Sequence, residues 1–420
     1  MRSAVKVERN EIKAVLLSFA FVFTLMASYY ILRPIRDAMS SNWTDAELST
    51  LFTLTFILSA AAVAIYGAAC ARIRIGVLVP GIYGLFALSF IAFYVMFRVV
   101  PDARAAHKAF YTWSSIFSLF HVSVFWSFMA DIFNRQQAKR LFGFIASGSS
   151  AGAIAGPLLA LSLAGSIGGM NLLPLSAGLL LVPMGIIVWL ERLKDSELHN
   201  AASGAGQDFH QTLGSNPFSG FMLLVRSPYL LGIAVFILLY TSISTFVYFE
   251  LKNLMVPLDA TTRTQLWAAI DLAVNILSIA TAMFGTGRLA SRFGLGATLG
   301  LVPFIILAGL LMVFISPMLW VVVCLQVVRR AGNYAVTRPG REMLFTAVDR
   351  ESRFKAKSVI DIVVYRGGDM LTAWAFTGLT QVFGLGIGAV ALVGVIIAGA
   401  WTAVGCLLGR NYDRNHAVNT

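Results

Sequence analysis

Charged side chains are scarce in this 420-residue chain, at 12% of its residues against 58% for hydrophobic ones. Soluble domains carry about one quarter charged residues, so the composition excludes an ordinary soluble protein. Cysteine is also rare, and its 3 residues lie too far apart for a disulfide framework or a metal site. No constellation of nucleophile, base or metal ligands is present, so we expect no enzyme, no metal and no cofactor.

Long apolar runs dominate the sequence instead. Each is close to 20 residues long, which is enough to cross a hydrocarbon core about 30 Å thick. Their number predicts an all-α polytopic membrane protein with twelve transmembrane helices. The predicted runs lie at about 12–32, 48–69, 75–97, 110–130, 141–164, 171–190, 229–249, 264–285, 295–316, 318–338, 358–380 and 385–408.

The net charge of +12 is explained by topology. If both termini are cytoplasmic, most lysines and arginines fall in cytoplasmic segments, which is the positive-inside bias. Contact with anionic lipid headgroups accounts for part of the rest. We therefore expect no nucleic-acid partner. We predict a monomer in the lipid bilayer of a bacterial inner membrane, with its N and C termini in the cytoplasm.

The sequence divides into two related halves. Residues 191–226 form the long polar stretch, and the division predicted from it is a six-helix half at 1–190, a cytoplasmic linker and a six-helix half at 227–420. After the second apolar run, a glycine is followed by an arginine seven positions later and a glycine nine positions later. The same spacing recurs after the eighth apolar run. A duplicated six-helix unit is typical of secondary transporters. The residues of the two copies are Gly67, Arg74 and Gly76, and then Gly285, Arg292 and Gly294.

The second copy, Gly285-Thr-Gly-Arg288-Leu-Ala-Ser291-Arg292-Phe-Gly294, resembles a loop motif of the major facilitator superfamily, with serine in place of the usual aspartate. The resemblance implies the fold of that superfamily. It also implies that these loops latch one access state by gripping neighbouring helix ends. Glycine permits the tight turn, and arginine reaches carboxylates or helix C-terminal carbonyls.

Other stretches in both halves are similar to the nucleotide (ATP/ADP) translocases. They include Tyr29-Tyr30-Ile-Leu-Arg33-Pro-Ile-Arg36-Asp37, Tyr248-Phe-Glu250-Leu-Lys252 and Arg366-Gly-Gly-Asp369. The resemblance implies a transporter that exchanges nucleotides. Two positions depart from that family's pattern. Arg36 replaces a lysine, and Gly368-Asp369-Met370 replaces Gly-Lys-Ser, which reverses a charge.

Two adjacent arginines, Arg329 and Arg330, lie within an apolar run. A cation at the bilayer centre costs about 2.5–3.5 kcal/mol or more, so intramembrane arginines need anionic partners. A substrate anion is one such partner, since the arginine fork suits phosphate and carboxylate. The alternative is an ion pair with Asp271, Asp361 or Asp369 that locks the two halves together.

The acids allow a similar pair of interpretations. Asp271 is either a proton-coupling carboxylate or the partner of Arg329 or Arg366, and Arg366 and Asp369 are spaced for a local pair. Glu250 and Lys252 are expected to close an external gate against Arg33 or Arg36. The predicted cavity residues are Arg329, Arg330, Arg338, Arg366, Arg33, Arg36 and Tyr334, and the predicted coupling or gating residues are Asp271, Asp361, Asp369, Glu250 and Lys252.

These observations favour a secondary transporter that moves a small organic or phosphorylated anion by alternating access, with nucleotide exchange as one form of it. Two alternatives belong to other classes. A proton-driven exporter of hydrophobic or cationic compounds predicts a cavity rich in acids and aromatic residues. A scaffold or sensor that kept the fold predicts that the cavity charges pair with one another.

Overall fold

The computed structural model describes residues 7–70, 72–100, 102–196, 198, 219–284, 286–348, 356–357 and 359–417. Regular structure in these residues is entirely helical. The helices up to the polar stretch are α1 (Ile12–Met39), α2 (Asp45–Cys70), α3 (Ile75–Val99), α4 (Arg104–Ile132), α5 (Arg135–Ile167) and α6 (Leu172–Ser196). The later helices are α7 (Ser219–Arg226), α8 (Pro228–Leu254), α9 (Ala260–Phe284), α10 (Thr286–Ile315), α11 (Leu319–Gly332), α12 (Arg338–Leu344), α13 (Tyr365–Thr377) and α14 (Ile387–Ala417).

Ten helices in the described residues are long and apolar enough to cross a membrane. The predicted number of twelve is therefore not confirmed. The apolar runs predicted at 318–338 and 358–380 are helical from Leu319 and from Val359 onwards. π-helical turns at Asn333–Thr337, Val359–Val364 and Gly378–Val382 divide them into shorter pieces. Pro339 follows the first of these turns. Its ring clashes with the carbonyl group four residues earlier, and a wider turn relieves that clash.

Polar residues between the spans set where several helices begin. The side chain of Asn134 accepts hydrogen bonds from the backbone N–H groups of Gln136 and Gln137 and so caps α5. Asp259 caps α9 in the same way, through Thr261 and Thr262 at 2.9 and 3.0 Å. The side-chain and backbone hydrogen bonds from Thr262 hold the pKa of Asp259 below its ordinary value.

Contacts divide the chain into two compact units. The first unit combines Met1–Ser40, Ile57–Thr212 and Leu258–Leu272, and the second combines Ser41–Phe56, Leu213–Pro257 and Ala273–Thr420. The first residues of α2 and of α9 thus each belong to the unit formed mainly by the other half of the sequence. The start of α2 packs with the later helices, and the start of α9 packs with the earlier ones.

Small residues create the closest helix packing in the first unit. Gly148, Gly152 and Gly156 follow one face of α5, where the backbone of α1 approaches them. A Cβ atom on Gly148 would lie 2.7 Å from the carbonyl oxygen of Phe19, so no larger residue fits without movement. Small residues at every fourth position of α5 therefore let α1 approach closely.

Candidate functional site

The two arginines of the tenth apolar run lie at the end of α11, immediately before the π turn at Asn333–Thr337. Both residues are buried, and each exposes 3% of its surface. The Nε and Nη2 atoms of Arg329 donate to Oε1 of Gln326 at 3.2 and 2.8 Å. In the part of the chain that the structure describes, Nη1 of Arg329 has no hydrogen-bond partner, and no carboxylate forms an ion pair with this guanidinium.

Aromatic hydroxyls surround this cation. Electrostatic interactions connect Arg329 with Arg330 and with Tyr240, Tyr365 and Tyr334. The rings of Tyr240 and Tyr365 lie 6.1 Å apart. Because phenols are neutral hydrogen-bonding groups at ordinary pH, these tyrosines do not supply a negative charge that would compensate Arg329.

Asp369 lies on α13 and belongs to the same cluster. Its Oδ1 accepts a hydrogen bond from Thr245 at 3.2 Å, and it interacts electrostatically with Arg366 and Arg329. Neither arginine is close enough to form an ion pair with it among the described residues. The local pair of Arg366 and Asp369 suggested by their spacing is therefore not formed, because Asp369 is hydrogen-bonded to Thr245 of α8 instead.

Asp271 has a different partner from those predicted. Its Oδ1 lies 3.6 Å from Nη1 of Arg33, and Arg33 also approaches Asp37, with 3.5 Å between Nε and Oδ2. Asp37 in turn accepts hydrogen bonds from Arg36 at 2.9 and 2.6 Å. The prediction of a bond from Asp271 to Arg329 or Arg366 is wrong, because the start of α9 packs in the unit that contains α1.

Asp361 also pairs elsewhere. Its Oδ1 lies 3.4 Å from Nη2 of Arg341, which also donates to Glu342 at 2.8 Å. The structure therefore forms none of the predicted ion pairs of Arg329 with Asp271, Asp361 or Asp369. Arg338, a predicted cavity residue, is exposed at the start of α12 and interacts electrostatically with Asp361.

Glu342 completes this cluster at the helix end. It binds Arg341 and also Lys357, the latter at 2.5 Å. Burial opposes ionisation of this carboxyl, but the hydrogen bonds from both cations hold the pKa of Glu342 below its ordinary value. Arg341 and Lys357 thus each contact a carboxylate, whereas Arg329 contacts none among the described residues.

Of the two predicted gate residues of α8, Lys252 binds groups other than those expected. Nζ of Lys252 forms an ion pair with Asp45 at 2.7 Å and donates to the carbonyl oxygen of Trp43 at 2.9 Å. Glu250 is fully buried. The gate between these two residues and Arg33 or Arg36 stays a prediction; in this structure the end of α8 packs against the start of α2, where Asp45 lies.

The two predicted latch loops share one arrangement. A Cβ atom on Gly76, at the start of α3, would overlap the carboxylate of Glu191 at the end of α6. In the second unit Gly294 has a φ of 77°, a backbone conformation that favours glycine. Asp413 of α14 accepts a hydrogen bond there from the backbone N–H of Leu295 at 3.0 Å. In both units an acid therefore faces the last glycine of the motif: Glu191 of α6 at Gly76, and Asp413 of α14 at Gly294, where α10 is kinked.

The remaining residues of the two motifs have no such acid beside them in the part of the chain that the structure describes. Gly67 is exposed within α2, and Arg74 is exposed at the N-terminal cap of α3. Arg292 stacks on Phe293, with 5.5 Å from its guanidinium carbon to the ring centre. Gly285 lies outside the described residues. The sequence pattern did not point to Glu191 or Asp413, since nothing in the spacing links them to the glycines.

The comparisons with known proteins agree with this architecture. A family model described as the Major Facilitator Superfamily matches residues 15–339. The long apolar helices and this match define a multi-pass membrane transporter for small molecules, not an enzyme. The chain belongs to the Major Facilitator Superfamily.

A curated relative is ADP,ATP carrier protein 2 of Chlamydia trachomatis, which is 27% identical over 219 residues. That match covers 46% of this chain and 40% of the relative, so the chain matches less than half of that protein's length. The name of this relative describes it as a carrier of ADP and ATP.

Solved structures share the fold at low sequence identity. The nucleoside transporter NupG has a TM-score of 0.65 and 14% identity, with 96% of this chain and 98% of that chain covered. A bacterial homologue of the human lysosomal transporter Spinster has a TM-score of 0.57 and 14% identity, with 97% and 99% covered. A peptide-bound transporter of the POT family has a TM-score of 0.62 and 13% identity, with 95% and 96% covered. These likenesses confirm the predicted major facilitator fold.

Proposed function

We propose that this protein is a secondary transporter that moves a small organic or phosphorylated anion by alternating access. Arg329 carries the proposal. It is a buried guanidinium whose hydrogen-bonded partner, Gln326, is neutral. A buried cation without a carboxylate is costly, and an anionic substrate would compensate it. An anion bound at Nη1 would make a charge-assisted hydrogen bond.

The ion pairs elsewhere in the molecule support this choice of site. Arg33, Lys252 and Arg341 each have a carboxylate within reach. A protein that only paired its own charges, as expected for a scaffold or sensor, would be expected to treat Arg329 in the same way. An exporter of cations would require acids at this site in place of the arginine.

Nucleotides are the first substrates to test, because the curated relative's name describes an ADP,ATP carrier. The tyrosines beside Arg329 offer rings on which a base could stack. Asp369 argues against phosphate, however, because an ionised carboxylate repels it. The hydrogen bond from Thr245 holds this carboxyl group within the cluster. Smaller organic anions with one negative group are the second class to test.

The experiment is uptake of labelled ATP by proteoliposomes, with and without internal ADP. Uptake that internal ADP stimulates, and that Arg329→Ala abolishes, would establish nucleotide exchange. Arg98→Ala is the matched control, because Arg98 is an exposed arginine that donates to Asn171 and lies outside the cluster. If ATP is not taken up, the same assay with mono- and dicarboxylates tests the second class. Uptake that is equal in wild type and Arg329→Ala would contradict the assignment of the site.

A further inference from the structure

Glu250 differs from the other buried acids of the molecule. It lies in the last turns of α8 and is 0% exposed. Neither of its carboxylate oxygens has a hydrogen-bond partner in the part of the chain that the structure describes. The group is therefore separated both from water and from any donor.

The buried acids elsewhere have compensating partners. Asp37 accepts from Arg36, Asp45 pairs with Lys252, and Asp271 lies near Arg33. Glu11 binds Arg140 at 2.7 Å. Among the fully buried acids of the described segments, Glu250 is thus the one that lacks both an ion pair and a hydrogen bond.

The two residues that precede Glu250 on α8 pack against aromatic rings. The ring of the adjacent Phe249 lies 5.6 Å from that of Phe52 on α2 and 5.0 Å from that of Phe376 on α13. Tyr248 also packs against Phe52, at 6.3 Å. These contacts make an apolar, low-dielectric layer around this part of the helix.

Among the described residues, no charged group on the elements that pack against α8 forms an ion pair or hydrogen bond with Glu250. On the start of α2, Asp45 holds Lys252, and Glu47 accepts hydrogen bonds from Thr44. None of the cations on the neighbouring helices donates to Glu250. These cations include Lys252 on α8, Arg329 and Arg330 on α11, Arg366 on α13, and Arg410 and Arg414 on α14.

We propose that Glu250 is a proton-binding site that couples proton movement to transport. An ionised carboxylate without water or donors is strongly unfavourable, whereas the neutral acid is tolerated in an apolar layer. The carboxylate would therefore take up one proton before it enters the state seen here. It would return that proton to water when the end of α8 becomes solvated.

This inference rests on the proposed transport function and changes the expected location of coupling. Asp271, the carboxylate that the sequence favoured, lies 3.6 Å from a cation, Nη1 of Arg33. Glu250 has no such cation. A site that binds a proton in one conformation and releases it in another satisfies the thermodynamic requirement for coupling, which is a differential affinity between states.

The test compares wild type with Glu250→Gln, which mimics the neutral acid. Proteoliposomes take up labelled ATP with or without an imposed inward proton gradient, and separately in exchange for internal ADP. We expect the gradient to stimulate uptake in wild type, and the variant to lose this stimulation while it retains measurable exchange. Glu47→Gln is the control, because Glu47 is an acid near the start of the same packed region, and it should keep the stimulation.

Full stimulation in Glu250→Gln, or none in wild type that transports ATP, would overturn the proposal. Absence of any ATP transport would count against the nucleotide function alone. A second measurement then decides about Glu250 without a substrate. Infrared difference spectra across a pH step should contain a neutral-carboxyl carbonyl band that disappears in Glu250→Gln, and identical spectra in the two proteins would overturn the proposal.

Discussion

Arg329 differs from Lys252 and Arg33 in the group that accepts its hydrogen bonds. Its acceptor is the amide oxygen of Gln326, whereas Lys252 and Arg33 have carboxylates. The amide oxygen accepts hydrogen bonds from the guanidinium but does not neutralise its positive charge. The charge is therefore available to a substrate, and this is the residue-scale basis of the proposed function.

The substitution Gln326→Glu tests that argument. A carboxylate at this position would lie about 2.8 Å from Nη2 of Arg329, where the amide oxygen is now. The new ion pair should satisfy the cation, and the protein should remain folded. Loss of one charge-assisted contact to substrate is worth about 1.5–3 kcal/mol, so we expect anion affinity to fall about 10- to 100-fold. Uptake assays across substrate concentrations measure this, with Gln326→Met as the uncharged control.

A pH dependence is expected at the other charged cluster. Because hydrogen bonds from Arg341 and Lys357 lower the pKa of Glu342 in the folded state, its contribution to stability is present above the pKa of the unfolded chain. That contribution is lost as the pH falls through the lower folded-state pKa. The difference in melting temperature between wild type and Glu342→Gln should therefore be largest near neutral pH and vanish in acid. A difference that grew in acid would contradict the assigned direction.

The sequence identified the arginines of the site but not their partners. Arg329 and Arg330 stand out because charge within an apolar run is unusual. Gln326, Tyr240 and Tyr365 do not stand out, since neutral polar and aromatic residues are common in membrane helices. The partner of Asp271 could not be predicted either, because it depends on which helix start packs in which unit.

Close packing is the main stabilising device at the scale of the helix. Gly152 on α5 lies under the backbone of α1, whereas Gly143 on the same helix has open space beside it. Helices associate in a membrane through such van der Waals contact, because lipid gives apolar side chains no preference for one another.

This pair of glycines gives a matched prediction. Gly152→Ala should destabilise the protein by about 1–3 kcal/mol, since the added methyl group meets backbone atoms that cannot move aside. Gly143→Ala should be neutral or stabilise it by up to about 1 kcal/mol, through helix propensity alone. Thermal unfolding in detergent distinguishes the two. Equal melting temperatures would argue against the close approach of α1 and α5.

Periodicity predicted the helices well and their interruptions poorly. Ten spans follow from apolar length alone. The π turns at Asn333–Thr337 and Val359–Val364 do not change the hydrophobic pattern, so a run of apolar residues conceals them. Pro339 is the one local signal, and a proline after a helical run does not specify which kind of turn precedes it.

At the scale of the whole molecule, buried ion pairs fix the units to which the starts of α2 and α9 belong. Lys252 is 1% exposed and binds Asp45 in the first turn of α2. Asn253 donates to the same carboxylate at 3.1 Å, and Thr380 donates at 2.8 Å. This network ties the start of α2 to the later helices of its unit.

Removal of one partner should be costly here. We expect Lys252→Ala to destabilise the protein by about 3–5 kcal/mol, because the Asp45 carboxylate would stay buried without its cation. Lys194→Ala is the comparison, since its pair with Asp131 is more exposed and is worth about 0–1 kcal/mol. Denaturant titration of both variants measures the difference. Similar losses in the two proteins would show that burial of the Lys252 pair has no energetic consequence.

Binding of anions to the purified protein tests the central claim most directly. The melting temperature of wild type and of Arg329→Ala would be measured with ATP, ADP and a set of smaller organic anions at low salt. The proposed function predicts that at least one anion raises the melting temperature of wild type in a saturable way, and that the variant shows no rise. A rise of equal size in both proteins would contradict the role of Arg329 as the anion-binding residue.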